Sequence, residues 1–325
     1  MSQWWIFKGS GVPHDGIERL PAPPPWRTFD GGTGDRSQRS GQAQTYQADR
    51  ETLELVNTAI LLRRPLLVTG QPGVGKSTLA YAVAHELGLG TVLRWPITSR
   101  TTVRDGLYQY DAIARIEEHS LRATGRPGPS LEAEPPDVGR FLRLGPLGTA
   151  LAQSERKRVL LVDEIDKSDI DLPNDLLDVF EEGEYEIPEL SRIADSVPEV
   201  AIGTADGRRT TVHQGRVRCG EFPIVVLTSN GERDFPPAFL RRCVRLELRP
   251  PDRDRLADIV RAHLGPDGDG RAGQLIQSFL ARREHGELAT DQLLNAVYLT
   301  RHVPGEQLDP DRLADLVLQY LTELG

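Results

Sequence analysis

A glycine-rich turn between an apolar strand pattern and a helical pattern constrains the fold of this chain more than any other segment. Residues 70–77 read Gly-Gln-Pro-Gly-Val-Gly-Lys-Ser and fit the pattern G-x-x-x-x-G-K-[ST]. The apolar run 65–69 precedes the turn, and a helical pattern follows it to about Leu87. Glycines let backbone N–H groups turn inward around phosphate oxygens, and the start of the helix adds its positive dipole end. The segment predicts a phosphate-binding loop in an α/β fold.

The end of this loop carries the residue types that a nucleoside triphosphate with Mg²⁺ requires. We expect Lys76 to reach the β- and γ-phosphates and the Ser77 hydroxyl to ligate Mg²⁺. A dinucleotide fold is disfavoured, because the glycines do not follow G-x-G-x-x-G and a Lys-Ser pair comes after them. A strand-to-helix turn that binds nothing is the structural alternative. The predicted nucleotide-binding residues are Gly70, Gln71, Pro72, Gly73, Val74, Gly75, Lys76, Ser77 and Thr78.

Two adjacent carboxylates follow a second buried-strand pattern. Val159–Val162 is a continuous apolar run, and Asp163 and Glu164 come directly after it. At the carboxyl end of such a strand, Asp163 can hold a Mg²⁺-bound water while Glu164 polarises the water that attacks the γ-phosphate. An Asp-Glu pair after a strand often only starts a helix, but its place downstream of the loop favours the catalytic interpretation.

Further polar residues follow the next buried-strand pattern, at 223–228. Asn230 can orient the attacking water, or it can simply form a turn. Arg241 and Arg242 follow a Pro-Pro turn, and either can neutralise γ-phosphate charge across a subunit interface. The alternative is a solvated arginine pair with no role in catalysis.

Taken in this order, the motifs resemble those of an AAA+ ATPase of the MoxR group. Gly145-Pro146-Leu147 is similar to the segment that precedes the Walker B strand in that group. Residues 178–188 are similar to its helix-2 insert hairpin. The resemblance covers about residues 46–300 and is specific in its motifs.

The resemblance implies a role for each motif. It implies Walker A for Gly70–Ser77, Walker B for Asp163 and Glu164, and sensor 1 for Asn230. It also implies an arginine finger at Arg242, with Arg241 as the second candidate. ATP and Mg²⁺ are the implied cofactors, and the implied assembly is a ring, usually hexameric, with ATP bound between subunits.

One position departs from the resemblance. MoxR relatives often carry a sensor 2 arginine at the start of a lid helix, whereas the matching stretch 288–294 offers Asp291. Coupling of the lid to the γ-phosphate is therefore expected to be weak or to come from another residue, and Arg283 is a less favoured candidate.

The alternation of strands and helices predicts the fold class and the domains. We expect an α/β fold with a P-loop NTPase (AAA+) parallel-sheet core, helical inserts and a small all-helical lid domain. The predicted domains are a Trp/Pro-rich leader and flexible linker at 1–45, the α/β nucleotide-binding core at 46–249, and the lid at 250–325. The aromatic side chains of the leader either dock on the body or on a neighbouring subunit, or stay exposed.

Charge and composition restrict the partners only weakly. The net charge is −9, but residues 163–199 hold 14 acids against two basic residues, a net of −12, so the remainder is about +3. A polyanionic partner is therefore not excluded. The lack of a long apolar run predicts a cytoplasmic protein without membrane contact, and two cysteines fit a reducing compartment.

The leading functional hypothesis is a ring-forming, Mg²⁺-dependent ATPase that remodels or activates protein partners. The MoxR resemblance implies a von Willebrand factor A-domain adaptor on a separate chain. The alternatives are a nucleic-acid-stimulated AAA+ motor and an ATP-binding scaffold with slow hydrolysis. The arginine-bearing segment 204–220 predicts a polar hairpin that either contacts substrate or is a solvated loop.

Overall fold

The structure described here is a computed structural model. It describes residues 48–123, 138–154, 157–265, 271–283 and 288–302, and the single positions 6, 18, 20, 21, 23, 24, 46, 317 and 318. The predicted leader and the last predicted lid helix, about 310–324, lie almost wholly outside these residues. The described residues belong to two compact units. One contains Gly70–Ala82 and the chain from Leu248 onward, and the other contains Ala48–Thr69 and Val83–Glu247.

The described residues form two β-sheets. The strands are β1 (Leu66–Thr69), β2 (Leu93–Pro96), β3 (Tyr108–Tyr110), β4 (Leu142–Leu144), β5 (Val159–Asp163), β6 (Glu184–Glu186), β7 (Glu199–Gly203), β8 (Arg209–His213), β9 (Arg216–Arg218), β10 (Ile224–Ser229) and β11 (Val244–Glu247). Five of them form a wholly parallel sheet in the order β11-β1-β10-β5-β2. This sheet, with the helices around it, confirms the predicted α/β fold class.

Eleven α-helices are assigned among the described residues. They are α1 (Arg50–Leu62), α2 (Lys76–Glu86), α3 (Val103–Leu107), α4 (Ala112–Ala123), α5 (Pro146–Leu151), α6 (Leu172–Glu182), α7 (Pro188–Ser191), α8 (Pro237–Arg242), α9 (Arg253–Leu264), α10 (Arg271–Arg283) and α11 (Thr290–His302). Short 3₁₀ turns occur at Val138–Phe141 and Ile165–Lys167. No helix in the described ranges has the length and apolar character that crossing a membrane requires.

Continuous apolar runs place β5 and β10 at the centre of the parallel sheet. Every residue of β5 is buried, as are the last five of β10. Leu147, Leu151 and Phe239 pack into the same core from helices α5 and α8. Strands covered on both faces need apolar side chains at every position, which is why this sequence pattern identified them. Because the sheet is parallel, the carboxyl ends of adjacent strands lie together at one edge of it.

A second sheet lies in the same unit and was not predicted. Its order is β3-β4-β7-β8-β9-β6, and most of its pairings are antiparallel. The predicted hairpin at 204–220 corresponds to β8, β9 and their turns. Leu144, Ile202 and Val212 belong to the small core beneath this sheet. Its strands are only three to five residues long, and the pairings of β3 with β4, β4 with β7 and β6 with β9 join segments that other elements separate along the chain, so local patterning gives little signal for them.

The other unit contains the helices that follow Leu248. Helix α9 begins at Asp252, whose carboxylate accepts a hydrogen bond from the Arg255 backbone N–H at 2.9 Å, and it ends at Gly265. The two described helices after it, α10 and α11, pack with α9 around Phe279, which is fully buried. Amphipathic spacing on each helix provides this shared core.

Candidate functional site

The phosphate-binding loop predicted at 70–77 directly follows β1 and leads into α2. Lys76, the first residue of α2, is 7% exposed. Its Nζ donates hydrogen bonds to the carbonyl oxygens of Gly70, at 2.7 Å, and Gln71, at 2.9 Å. Main-chain carbonyl oxygens therefore hold the ammonium group inside the loop. Phosphate oxygens would have to compete with these carbonyl oxygens for the ammonium group. Charge-assisted hydrogen bonds to phosphate are stronger than those to neutral carbonyls, so the exchange is favourable.

All three glycines of the loop have a positive φ, which other residues rarely adopt, and two of them are also closely packed. Gly70 has φ of 146°, and a Cβ there would lie 2.4 Å from the Leu248 carbonyl oxygen. Gly73 has φ of 77°, and a Cβ there would lie 2.8 Å from the Ala289 Cβ and 3.0 Å from the Thr290 backbone nitrogen. The tip of the loop therefore packs closely against the start of α11, within one compact unit.

This close packing predicts that Gly73→Ala is more damaging than an alanine at an open glycine. We expect the free energy of unfolding to fall by about 1–2 kcal/mol from the left-handed backbone, with a further loss from contact with Ala289. Gly88→Ala is the matched control, because Gly88 has φ of 62° and a Cβ added there would meet no atom within 4 Å. Denaturant unfolding and ATP affinity of both variants measure the difference. Equal stability and equal affinity would contradict the close packing of Gly73.

The two predicted carboxylates lie at the carboxyl end of β5. Asp163 is the last residue of the strand, and its side chain is 8% exposed. The Thr228 hydroxyl of β10 donates to Asp163 Oδ1 at 2.9 Å and accepts the backbone N–H of Glu164 at 2.9 Å. One buried hydroxyl thus links both acids to the neighbouring strand. The sequence did not single out Thr228, although the parallel pairing of Leu227 with Val162 puts it opposite Asp163.

A cation from the other neighbouring strand also contacts Asp163. Arg94 of β2 donates from Nε and Nη2 to Asp163 Oδ2, at 2.9 Å and 2.7 Å. Sequence reasoning missed Arg94, because nothing local to β2 predicts a partner 69 residues away. The Asp163 carboxylate is therefore charge-compensated and fixed by hydrogen bonds from strands on both sides.

Glu164 adopts a conformation that is unusual for a residue with a side chain. Its φ of 62° and ψ of 50° lie in the left-handed region. Its side chain is 44% exposed, and Oε2 accepts a hydrogen bond from Lys167 Nζ at 2.9 Å. This hydrogen bond raises the pKa of Lys167, so the lysine stays charged beside the carboxylate. A strained residue held by several contacts is typical of a functional position.

A third acid ties the segment after β5 to the segment after β10. Asp166 is 3% exposed, and its Oδ2 accepts the backbone N–H groups of Asn230, at 2.8 Å, and Glu232, at 3.2 Å. The Asn230 side-chain amide donates to Glu232 Oε1 at 3.4 Å. The structure thus brings Asn230 to the same sheet edge as Asp163 and Glu164, through a residue that the sequence did not single out.

The two candidate arginine fingers differ in their surroundings. Both belong to the last turn of α8. Arg242 forms an ion pair with Glu181 of α6 and donates from Nη1 to the Ala238 carbonyl at 3.3 Å. The hydrogen bond to Glu181 raises the pKa of Arg242. Arg241 is exposed, and its carbonyl oxygen accepts a hydrogen bond from Arg64 at 3.4 Å.

The residue considered in place of a sensor 2 arginine contacts its own helical unit. Arg283 donates from Nη1 to the Pro251 carbonyl at 2.8 Å and lies 5.9 Å from the Phe279 ring centroid. Burial lowers its pKa. Asp291 occupies the first turn of α11. These contacts hold Arg283 within its own helical unit.

The donor chemistry of the predicted metal ligands fits Mg²⁺. Asp163 offers carboxylate oxygens, Ser77 offers a hydroxyl, and hard oxygen ligands are those that Mg²⁺ prefers. The guanidinium of Arg94 on Asp163 shows that this carboxylate already attracts a positive charge. The described part of the chain holds no group of three or more His, Cys, Asp or Glu side chains suited to a metal.

Comparison with known proteins identifies the family. The family model of the AAA domain (dynein-related subfamily) matches residues 65–243, more than half of the 325-residue chain. The match begins just before the phosphate-binding loop and ends just after Arg242. A search of curated proteins found no match. The chain therefore belongs to the AAA domain family of the dynein-related subfamily.

Proposed function

We propose that the chain is a Mg²⁺-dependent ATPase. The observation that carries this proposal is the acid pair at the carboxyl end of β5, where the Thr228 hydroxyl bonds to both Asp163 and Glu164. A buried, fixed aspartate beside a more exposed glutamate is the arrangement that separates a metal-binding role from a water-activating role. Membership of the AAA domain family supports nucleotide binding by the loop at 70–77.

Each predicted residue has a distinct part in this proposal. Residues Gly70–Thr78 hold the phosphates, and Lys76 leaves its two carbonyl acceptors to bind the β- and γ-phosphate oxygens. Ser77 and Asp163 are the residues that would hold Mg²⁺. When bound, Mg²⁺ supplies positive charge to the phosphate oxygens. Asn230 orients the attacking water from the loop that Asp166 fixes.

Glu164 is the proposed catalytic base. Its side chain is 44% exposed, so water can reach the carboxylate. Lys167 Nζ donates a hydrogen bond to this carboxylate, which accepts a proton from the attacking water in the proposed reaction. The extended backbone of β5 ends at Asp163, whereas Glu164 has left-handed φ and ψ. Adjacent acids can therefore carry different roles.

We further propose that Arg242 acts on ATP bound by a neighbouring subunit. Its intrachain ion pair with Glu181 is exposed, and exposed ion pairs contribute little to stability, so it can open readily. Arg242→Ala is expected to lower kcat by roughly 10- to 100-fold, the worth of a charge-assisted hydrogen bond. Arg241→Ala, the matched control, should change kcat less than threefold. Steady-state phosphate release measures both, and a larger loss in Arg241→Ala would reverse the assignment.

We propose a MoxR-like role, in which a cytoplasmic ring, usually hexameric, remodels or activates protein partners with a von Willebrand factor A-domain adaptor. The charges of the second sheet support a protein partner over a polyanion. Arg216 lies 3.6 Å from Glu184 and 3.5 Å from Glu186, and Arg218 lies 2.8 Å from Glu184. Arginines already matched with carboxylates contribute little to phosphate binding.

Stimulation of ATP hydrolysis tests this choice of partner. The full chain is assayed with a purified von Willebrand factor A-domain protein and, separately, with single-stranded DNA at two salt concentrations. We expect the protein to raise kcat or lower KM and the DNA to have no effect. Stimulation by DNA that weakens with salt would support the nucleic-acid motor instead. ATP binding without measurable hydrolysis in either arm would support the scaffold alternative.

A further inference from the structure

The Asp163 carboxylate binds a side chain from each neighbouring strand, and the two sides are chemically different. Oδ1 accepts a hydrogen bond from the neutral hydroxyl of Thr228 at 2.9 Å. Oδ2 accepts hydrogen bonds from Nε and Nη2 of Arg94, at 2.9 Å and 2.7 Å. The acid that the proposed function assigns to Mg²⁺ therefore already has a full positive charge in contact with it.

The reach of Arg94 makes this contact specific. The parallel register pairs Arg94 with Leu161 and Pro96 with Asp163, so the Arg94 Cα lies two residues before the end of β5. The side chain must extend along the strand direction to reach the carboxylate. A guanidinium presents two N–H groups in a fixed plane at that distance, whereas a lysine ammonium is a compact point charge on a flexible stem.

The difference in burial indicates which partner needs the other. The Asp163 side chain is 8% exposed, while that of Arg94 is 40% exposed. A buried carboxylate without a compensating charge is strongly disfavoured, whereas a half-exposed arginine can return to water at little loss. The buried Asp163 carboxylate therefore needs a cation beside it, whereas the Arg94 guanidinium can leave the carboxylate for water.

We propose that Arg94 is the resident counter-cation of Asp163, and that a divalent cation arriving with the nucleotide competes with it for that carboxylate. This inference rests on the proposed function, because it assumes that Asp163 takes part in metal binding. Arg94 is a positioning residue that keeps the carboxylate in place and charge-balanced before metal arrives. It also lowers the affinity for the metal alone, so that nucleotide phosphates are needed to draw the metal in.

The competition is tested by titrating Mg²⁺ into the full chain with a fluorescent ATP analogue at fixed concentration. Removing a positive charge next to the metal should tighten Mg²⁺ binding, so we expect Arg94→Met to lower the apparent Kd for Mg²⁺ about tenfold. Without metal and nucleotide, the same variant should melt about 2–4 °C lower, with a smaller deficit once both are bound. Arg245→Met, an exposed arginine on β11 of the same sheet, is the matched control and should change neither.

Arg94→Lys keeps the charge and is the second variant if Arg94→Met does not fold. Its more flexible ammonium should yield to the metal more easily, so the Kd for Mg²⁺ should fall by a smaller factor than in Arg94→Met. An unchanged or higher Kd in either folded variant, with a normal wild-type response, would overturn the inference and leave the proposed function intact. A wild-type chain that binds no ATP analogue would instead overturn the proposed function, and this inference with it.

Discussion

Glu164→Gln is expected to lower the steady-state rate of ATP hydrolysis roughly 10³-fold while ATP binding stays within a factor of about three of the wild type. Glutamine has nearly the same shape as glutamate but cannot accept a proton from the attacking water. The change also removes the carboxylate partner of Lys167 without touching the phosphate-binding loop. Phosphate release measures hydrolysis, and a fluorescent ATP analogue measures binding.

A second glutamate provides the control for this variant. Glu182 ends α6 and is exposed, so Glu182→Gln removes one acid from the same unit at a position outside the proposed site. We expect it to hydrolyse ATP at the wild-type rate. Wild-type turnover by Glu164→Gln would reject Glu164 as the catalytic base. A rate lost together with ATP binding would mean that Glu164 acts on nucleotide affinity and not on the chemical step.

Lys76→Ala is expected to raise the Kd for ATP roughly 100-fold and, in consequence, to abolish hydrolysis at micromolar ATP. The variant removes charge-assisted hydrogen bonds to the β- and γ-phosphates, each worth about 1.5–3 kcal/mol. It also removes the two hydrogen bonds from Nζ to the carbonyls of Gly70 and Gln71, which close the loop before ATP binds. Titration with the fluorescent ATP analogue measures the Kd.

The control for this variant removes a lysine elsewhere. Lys157 pairs with Glu221 at 2.8 Å and lies outside the proposed site, so Lys157→Ala should bind ATP like the wild type. Lys76→Arg tests whether charge is sufficient. We expect it to bind ATP weakly too, because a planar guanidinium does not fit the carbonyl cradle formed around the ammonium. Near-normal ATP affinity in Lys76→Ala would remove the loop from the nucleotide site.

Features with a local signal could be predicted from the sequence. Glycine spacing predicts the loop at 70–77, and continuous apolar runs predict the strands β5 and β10. The parallel sheet confirms the two strands. The acids after β5 were recognised because their type and position match a chemical need.

Features that depend on pairing between distant segments could not be predicted. Thr228 and Arg94 contact Asp163 because two neighbouring strands align with β5, and alignment is a property of the sheet and not of either strand. Asp166 holds the loop of Asn230 for the same reason. The second sheet consists of short strands, and its pairings β3–β4, β4–β7 and β6–β9 join segments that are far apart along the chain, which periodicity does not reveal. The left-handed backbone of Glu164 has no sequence signal, because glutamate seldom adopts it.

The choice between the two arginines shows what the structure adds where the sequence left alternatives. Arg241 and Arg242 are adjacent and chemically identical, and the resemblance to the MoxR group ranks Arg242 first. The fold turns Arg242 toward Glu181 and leaves Arg241 exposed. The expected difference between Arg241→Ala and Arg242→Ala follows from that ranking, and the exposed ion pair with Glu181 leaves Arg242 able to exchange partners.

Phosphate release from ATP by the purified full chain, with Mg²⁺ and with the metal chelated by EDTA, tests the central claim most directly. We expect hydrolysis that requires Mg²⁺, that is lost in Lys76→Ala with loss of binding, and that is lost in Glu164→Gln with binding retained. Phosphate release that persists in EDTA, or that is unchanged in both variants, would contradict the claim.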